Sequence, residues 1–205
     1  MAQPASKHQM TYAEYLALEQ TSQVKHEFVA GECFAMSGGT PIHGHLAMRL
    51  GGILFRILGR GPCRPYSSDT RVFLQRSGEG CYPDVSVICG RPQHDLRDAQ
   101  GVINPTVVFE VLSPTTAVWD RGEKFARYQT LATLRDYVLV TTEHNRVEHF
   151  ARNDDGSWTY RDLHDGDMLR LTGAPAEVAV SELYDGVDEL RDAADAVAVR
   201  APRDV

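Results

Sequence analysis

The chain has 205 residues, 42% of them apolar and 24% charged, with a formal net charge of −7 at pH 7. That length and apolar content build one full hydrophobic core with small appendages. The acidic balance excludes a protein that coats nucleic acid through general basic charge, though not a local basic groove or a bound cation.

No apolar run approaches the roughly 18 residues of a membrane span, and the opening MAQPASKHQM lacks the apolar core of a signal peptide. A cytoplasmic protein without a membrane partner is the expectation. Thr11 and Glu14 have capping-box spacing, and Tyr12, Tyr15, Leu16 and Leu18 predict a short amphipathic helix after them. HEFVAGECFAMSGG predicts a hairpin turning at Ala30-Gly31, with Glu27 and Glu32 on either side of the turn. For both acids, solvated hairpin charge and a place in a metal site remain open readings.

Thr40-Pro41 caps and starts the next helix. His43, Leu46, Ala47, Leu50, Ile53, Leu54 and Ile57 form one stripe at helical spacing, so His43 faces inward and His45 points away. His43 is therefore either a hydrogen-bonded core histidine or a side chain facing a site. Gly59-Arg60-Gly61-Pro62 ends the helix, and Arg64 to Gln75 reads as the first long strand of a sheet, carrying Asp69 as a secondary site candidate. A turn at Gly78-Glu79-Gly80 would pair that strand with the next in a hairpin. Cys33, Cys63, Cys81 and Cys89 show no C-x-x-C pair and are expected to be reduced and buried.

Two strands then each carry one acid. In YPDVSVICG, Asp84, Ser86 and Ile88 share one face and Val85 and Val87 the other. Thr106 to Leu112 is nearly all apolar except Glu110, which shares a face with Val108 and Leu112. Between them, Arg91 to Asn104 is a polar loop of the length usually tied to function or mobility. A carboxylate inside an apolar run needs a partner. Two carboxylates about 4 Å apart would repel by roughly 4 kcal/mol at an effective dielectric of 20. They must be distant, share a proton, or share a cation, and the cation is the favoured reading.

Ser113-Pro114 breaks the second strand, and Asp120 to Glu123 repeats capping-box spacing, so a helix is expected to begin near Arg121. Lys124, Tyr128 and Leu131 at i, i+4, i+7 place Lys124 on its inward edge. DYVLVTT follows as another apolar strand. From Glu143 the pattern is meander-like, with strands at Val147–Phe150, Trp158–Leu163 and Met168–Leu171 and a last helical turn at Ser181–Tyr184. Residues 1–186 read as a single domain. Residues 187–205, with Pro202 near their end, read as a tail compatible with a helix or with disorder.

The order helix, strand, strand, strand, helix, strand, with acids in the second and third strands, resembles the PD-(D/E)XK nuclease superfamily. Pro83-Asp84 matches its P-D and Glu110-Val111-Leu112 its (D/E)-x-K element. More closely, KHEFVAGECFAMSGGTPIH, YPDVSVIC, NPTVVFEVLSPTT, DRGEKFARY and LRDYVLVTT resemble the Uma-two family of putative restriction endonucleases. The resemblance implies an α/β fold with a restriction-endonuclease-like core, a mixed central sheet flanked by helices and a C-terminal β meander. It implies a metal-dependent endonuclease acting on DNA, with Asp84, Glu110 and Lys124 as catalytic residues. Leu112 stands where the superfamily lysine would be, and Lys124 would supply the ammonium from the following helix. Asp84, Glu110 and the Val111 carbonyl are hard oxygen donors suited to magnesium or manganese. His43 and Glu27 would complete the constellation. Cutting two strands favours two sites, which is consistent with a homodimer. The alternative is a nuclease fold that binds or regulates without cutting.

Overall fold

A computed structural model describes residues 9–36, 38–114 and 116–200, the side chains of 195–200 excepted. Residues 1–8 and the end of the expected tail, Pro202 included, lie outside the described residues. The centre is a six-stranded mixed sheet in the order β10-β9-β8-β7-β6-β3. Its strands are β3 (Cys63–Ser67), β6 (Val85–Cys89), β7 (Val107–Leu112), β8 (Asp136–Thr141), β9 (Arg146–Arg152) and β10 (Trp158–His164). Only β7 and β8 run parallel. A parallel pair needs a crossover, and the residues between these two strands provide a helical one.

Every residue of β7 and β8 is buried, as expected of strands covered on both faces. The period-two alternation divides β7 between two cores. Val107, Phe109 and Val111 meet α2 (Pro41–Leu58), which contributes Leu46, Leu50, Ile53 and Leu54. Val108 and Leu112 meet Tyr128, Leu131, Leu134 and Tyr137 on the crossover side. Glu110 belongs to this second face. Helix α2 begins as expected: the Thr40 hydroxyl accepts from the His43 amide, Pro41 occupies the first turn, and Gly59 (φ 49°) closes the end.

A smaller sheet, in the order β2-β1-β5-β4, packs beside the crossover. Strands β1 (His26–Val29) and β2 (Glu32–Ala35) form the expected hairpin, with Ala30 and Gly31 both at positive φ. Helix α1 (Tyr12–Thr21) carries the capping box and buries Tyr15. Its ring stacks on Phe28 of β1 at 5.2 Å.

Four expectations need correction. Arg64 to Gln75 is not one strand. A turn closed by the Thr70 amide on the Ser67 carbonyl divides it, sending β3 to the central sheet and β4 (Val72–Leu74) to the small one. The Gly78 turn therefore joins β4 to β5 (Glu79–Cys81), not to the Asp84 strand. Cys63 and Cys89 are not reduced: they face each other across β3 and β6 and form a disulfide, while Cys33 and Cys81 stay free. The third meander strand leaves the sheet, because β11 (Met168–Arg170) pairs with β12 (Glu177–Ala179) as a separate ribbon.

The fourth concerns the crossover, which starts before Arg121. Helix α3 (Ala117–Trp119) leads into a π-helical turn, Asp120–Lys124, and then α4 (Phe125–Tyr128). Asp120 lies inside this run and caps nothing. Helices α5 (Val180–Tyr184) and α6 (Val187–Arg200) finish the described chain. Among the described residues no helix is long and apolar enough to cross a membrane.

Candidate active site

The π turn widens the helix where Lys124 leaves it, and the side chain points into the protein with 6% exposure. Its ammonium lies 3.0 Å from Glu110 Oε1, 3.1 Å from Glu27 Oε1 and 3.8 Å from Asp120 Oδ1. Three elements converge here: β7 brings Glu110, β1 brings Glu27, and the turn brings Asp120 and Lys124. Asp120 and Lys124 are i, i+4 neighbours and so share one helical face. Tyr137 of β8 fixes the turn by donating its hydroxyl to the Asp120 carbonyl at 2.9 Å.

A second group adjoins the first. Asp84, just before β6, accepts the Val111 amide at 2.7 Å, which ties it to the strand carrying Glu110. His43 Nε2 is 3.2 Å from the same Asp84 oxygen, and its ring also lies against the Val111 carbonyl. Gly39 makes room for that ring, since a Cβ there would come within 2.6 Å of His43 Nδ1. The Tyr82 amide donates to Glu27 Oε1 at 3.2 Å and links the two groups. Asp84, Glu27 and His43 retain 15%, 16% and 21% side-chain exposure, so the site opens on their side.

Four carboxylates, those of Glu27, Asp84, Glu110 and Asp120, face one lysine and one histidine. Burial pushes the Glu110 carboxyl well above its ordinary range; Lys124 pulls it back, and Asp84, Asp120 and Glu27 push it further up. Burial also raises Asp120 against the pull of Lys124. For Lys124 burial acts downward, but Glu110, Glu27 and Asp120 outweigh it and hold the ammonium well above the ordinary lysine value. The hydrogen bond to Asp84 leads in raising His43, against burial. The directions agree physically: the acids outnumber the bases, which favours the charged form of each base and disfavours further negative charge among the most buried acids.

Such a site has capacity for a cation. Among the described residues, no three His, Cys, Asp or Glu side chains form a metal-ligand group. The donors that remain are hard oxygens: Asp84, Glu110 and the Val111 carbonyl. The 3.0 Å approach of Lys124 to Glu110 is an ion pair without hydrogen-bond alignment, so the buried Glu110 Oε1 keeps acceptor capacity. Two carboxylates and a carbonyl, completed by water, suit magnesium or manganese, and these residues fit such an ion.

Of the residues expected at the site, Asp84, Glu110, Lys124, His43, Glu27 and Val111 are brought together. Asp69 is not: it is 84% exposed and pairs with Lys25 at 2.9 Å. Asp120 joins them unexpectedly. Its spacing to Glu123 reads as a cap, and the signal that finds it is its spacing to Lys124.

The family model Uma2, described as "Putative restriction endonuclease", matches residues 12–181. Two uncharacterised Synechocystis sp. proteins are similar along most of the chain. One, slr1290, is 34% identical over 174 residues, covering 85% of this chain and 90% of that one. The other, sll1609, is 33% identical over 172 residues, covering 84% and 93%. The fold is similar to the crystal structure of a putative nuclease belonging to DUF820 from Anabaena variabilis, with a TM-score of 0.72 at 13% identity, covering 87% of this chain and 99% of that one.

Proposed function

Because the chain belongs to the Uma2 family of putative restriction endonucleases, we propose that it is a metal-dependent endonuclease hydrolysing DNA phosphodiester bonds at the Lys124 cluster. One observation carries the reading: a buried ammonium held between Glu110 and Glu27, at 3.0 and 3.1 Å, with Asp84 tied to the Glu110 strand through the Val111 amide. Fixed positive charge beside hard oxygen donors suits a cation-supported hydrolysis.

Asp84, Glu110 and the Val111 carbonyl would hold the ion, magnesium or manganese. A bound divalent cation polarises phosphate and lowers the pKa of water. Lys124 orients the attacking water and offsets negative charge developing on the phosphoryl oxygens as the P–O bond to the leaving sugar oxygen breaks. Glu27 and Asp120 keep that ammonium charged and in place, and no water is needed to solvate it. His43 and the Val111 amide hold Asp84 in one orientation. The same reading treats residues 1–186 as one nuclease domain and favours a homodimer for cutting both strands.

A second reading, a nuclease fold that binds without cutting, draws on one observation: no three ligating side chains are grouped among the described residues. Incubation of the purified protein with supercoiled plasmid separates the two. Nicking or linearisation that requires magnesium or manganese and stops with chelator is the expected result. Intact plasmid in both metals would leave the non-cutting reading.

A further inference from the structure

Tyr128 sits one helical turn beyond Lys124, on the same inward face, and is completely buried. Its ring packs near Tyr137, with centroids 5.7 Å apart, and joins the apolar cluster of Leu112, Leu131 and Leu139. Phenylalanine would make all of those contacts. The hydroxyl is a buried polar atom with no hydrogen-bond partner among the described residues. Such an atom forfeits its hydration for nothing in return, so packing alone gives no reason for tyrosine. The neighbouring Tyr137 shows the contrast, because its hydroxyl is used by the Asp120 carbonyl.

Among the described residues another buried atom without a hydrogen bond is Glu110 Oε1, on the β7 face that brings Val108 and Leu112 to this cluster. One is a donor and the other an acceptor. Glu110 stands between Val108 and Leu112 on that face, which packs against Tyr128, and its charge helps push the buried Tyr128 hydroxyl well above the ordinary tyrosine value, after burial itself. We infer that Tyr128 is a positioning residue whose hydroxyl donates to Glu110 through one buried water, and so fixes how that carboxylate is presented to a cation. The inference rests on Glu110 being a cation ligand, as the proposed function has it, but not on DNA cutting. Outer partners of metal-ligating carboxylates typically change metal affinity or activity 10- to 100-fold when removed.

Tyr128→Phe deletes only the hydroxyl. Manganese titration calorimetry and metal-free thermal unfolding, each on wild type and variant, test the role. The expected result is manganese affinity at least about tenfold weaker, with an unfolding temperature equal to or above wild type. Where wild type cuts DNA, kcat should fall while KM for DNA is unchanged. Superimposable manganese isotherms in a folded variant would overturn the inference. So would a high-resolution crystal structure of the wild type in which the hydroxyl pairs with a group other than a water shared with Glu110; that measurement stands even where the variant does not fold. Weakened manganese binding with no plasmid cleavage by wild type supports the inference and removes the cutting reading. Wild type that binds no manganese overturns both.

Discussion

Glu110 shows what the site costs the fold. Its carboxyl has 3% exposure, lies among three other acids, and shares the ammonium of Lys124 with Glu27 and Asp120. Burial leads in holding its proton well above the usual carboxylate range. In that window the folded state binds a proton that the unfolded chain has released, so stability falls as pH rises through it. Glu110→Gln keeps the shape and removes the charge. In metal-free protein it should raise stability by about 0.5–2 kcal/mol near pH 7, the usual scale for relieving a functional strain, and flatten stability against pH. The same change should abolish manganese binding, since a neutral amide is a poor ligand for a hard cation. Urea unfolding at several pH values checks the first part; a variant less stable than wild type at neutral pH would contradict it. Glu110 was legible in the sequence because a lone acid inside VVFEVL demands a partner. Lys124 was legible from its stripe with Tyr128 and Leu131. Asp120 was not, because Asp-x-x-Glu also describes a helix cap, and only the π turn decides which way its side chain faces.

At the scale of elements, the site depends on how α2, β6 and β7 are held together. Helix α2 delivers His43 to Asp84 at the start of β6, and β3 follows α2 directly. The Cys63–Cys89 disulfide closes the other end of that unit, with a sequence separation of 26 residues. Loop closure of this length restricts the unfolded chain by about 3 kcal/mol in the chain-entropy picture. Cys63→Ser should lose about that much in urea unfolding, and wild type unfolded under reductant should behave like the variant. Identical midpoints for oxidised wild type and Cys63→Ser would contradict the expectation. Scattered cysteines gave no hint of the bond, because it requires knowing that β3 pairs with β6 in the register that sets residue 63 opposite residue 89. The missed break between β3 and β4 has the same root. Arg64 to Gln75 has no proline or glycine after Pro65, and the Ser67–Thr70 turn that divides it becomes decisive only once two sheets compete for its halves.

For the whole molecule, the small sheet and the 91–104 loop must be fastened to the central one, since β1 supplies Glu27. A buried polar network does this. Arg71 donates twice to Asp98 at 2.8 Å and once to the Tyr82 hydroxyl, while Tyr12 also donates to Asp98. Tyr82 in turn donates to Glu19, which binds His26 at the start of β1. Burial raises Asp98, but hydrogen bonds from Arg71, Tyr12 and the Gly101 amide outweigh it and hold the carboxyl at about 2. A depressed carboxylate stabilises the fold above its unfolded pKa, and that contribution is lost as pH falls through the folded value. Arg71→Ala leaves Asp98 buried and uncompensated, and should cost about 3–5 kcal/mol at neutral pH. The deficit should shrink as pH drops from about 4 toward about 2. Chemical denaturation across that range checks both statements, and a constant deficit would contradict the second. This loop, whose length reads from sequence as tied to function or mobility, is held in place by buried Asp98 and Asn104.

In the proposed function Lys124 is the fixed positive charge of a cation-dependent nuclease site, and Lys124→Ala tests that role most directly. Plasmid cleavage and manganese calorimetry on wild type and variant supply the measurement. The expected result is cleavage reduced by at least about 10²-fold with manganese binding retained, and a much smaller loss for Arg127→Ala, because that guanidinium pairs with Glu79 and Glu123 instead. Cleavage by Lys124→Ala at the wild-type rate would contradict it.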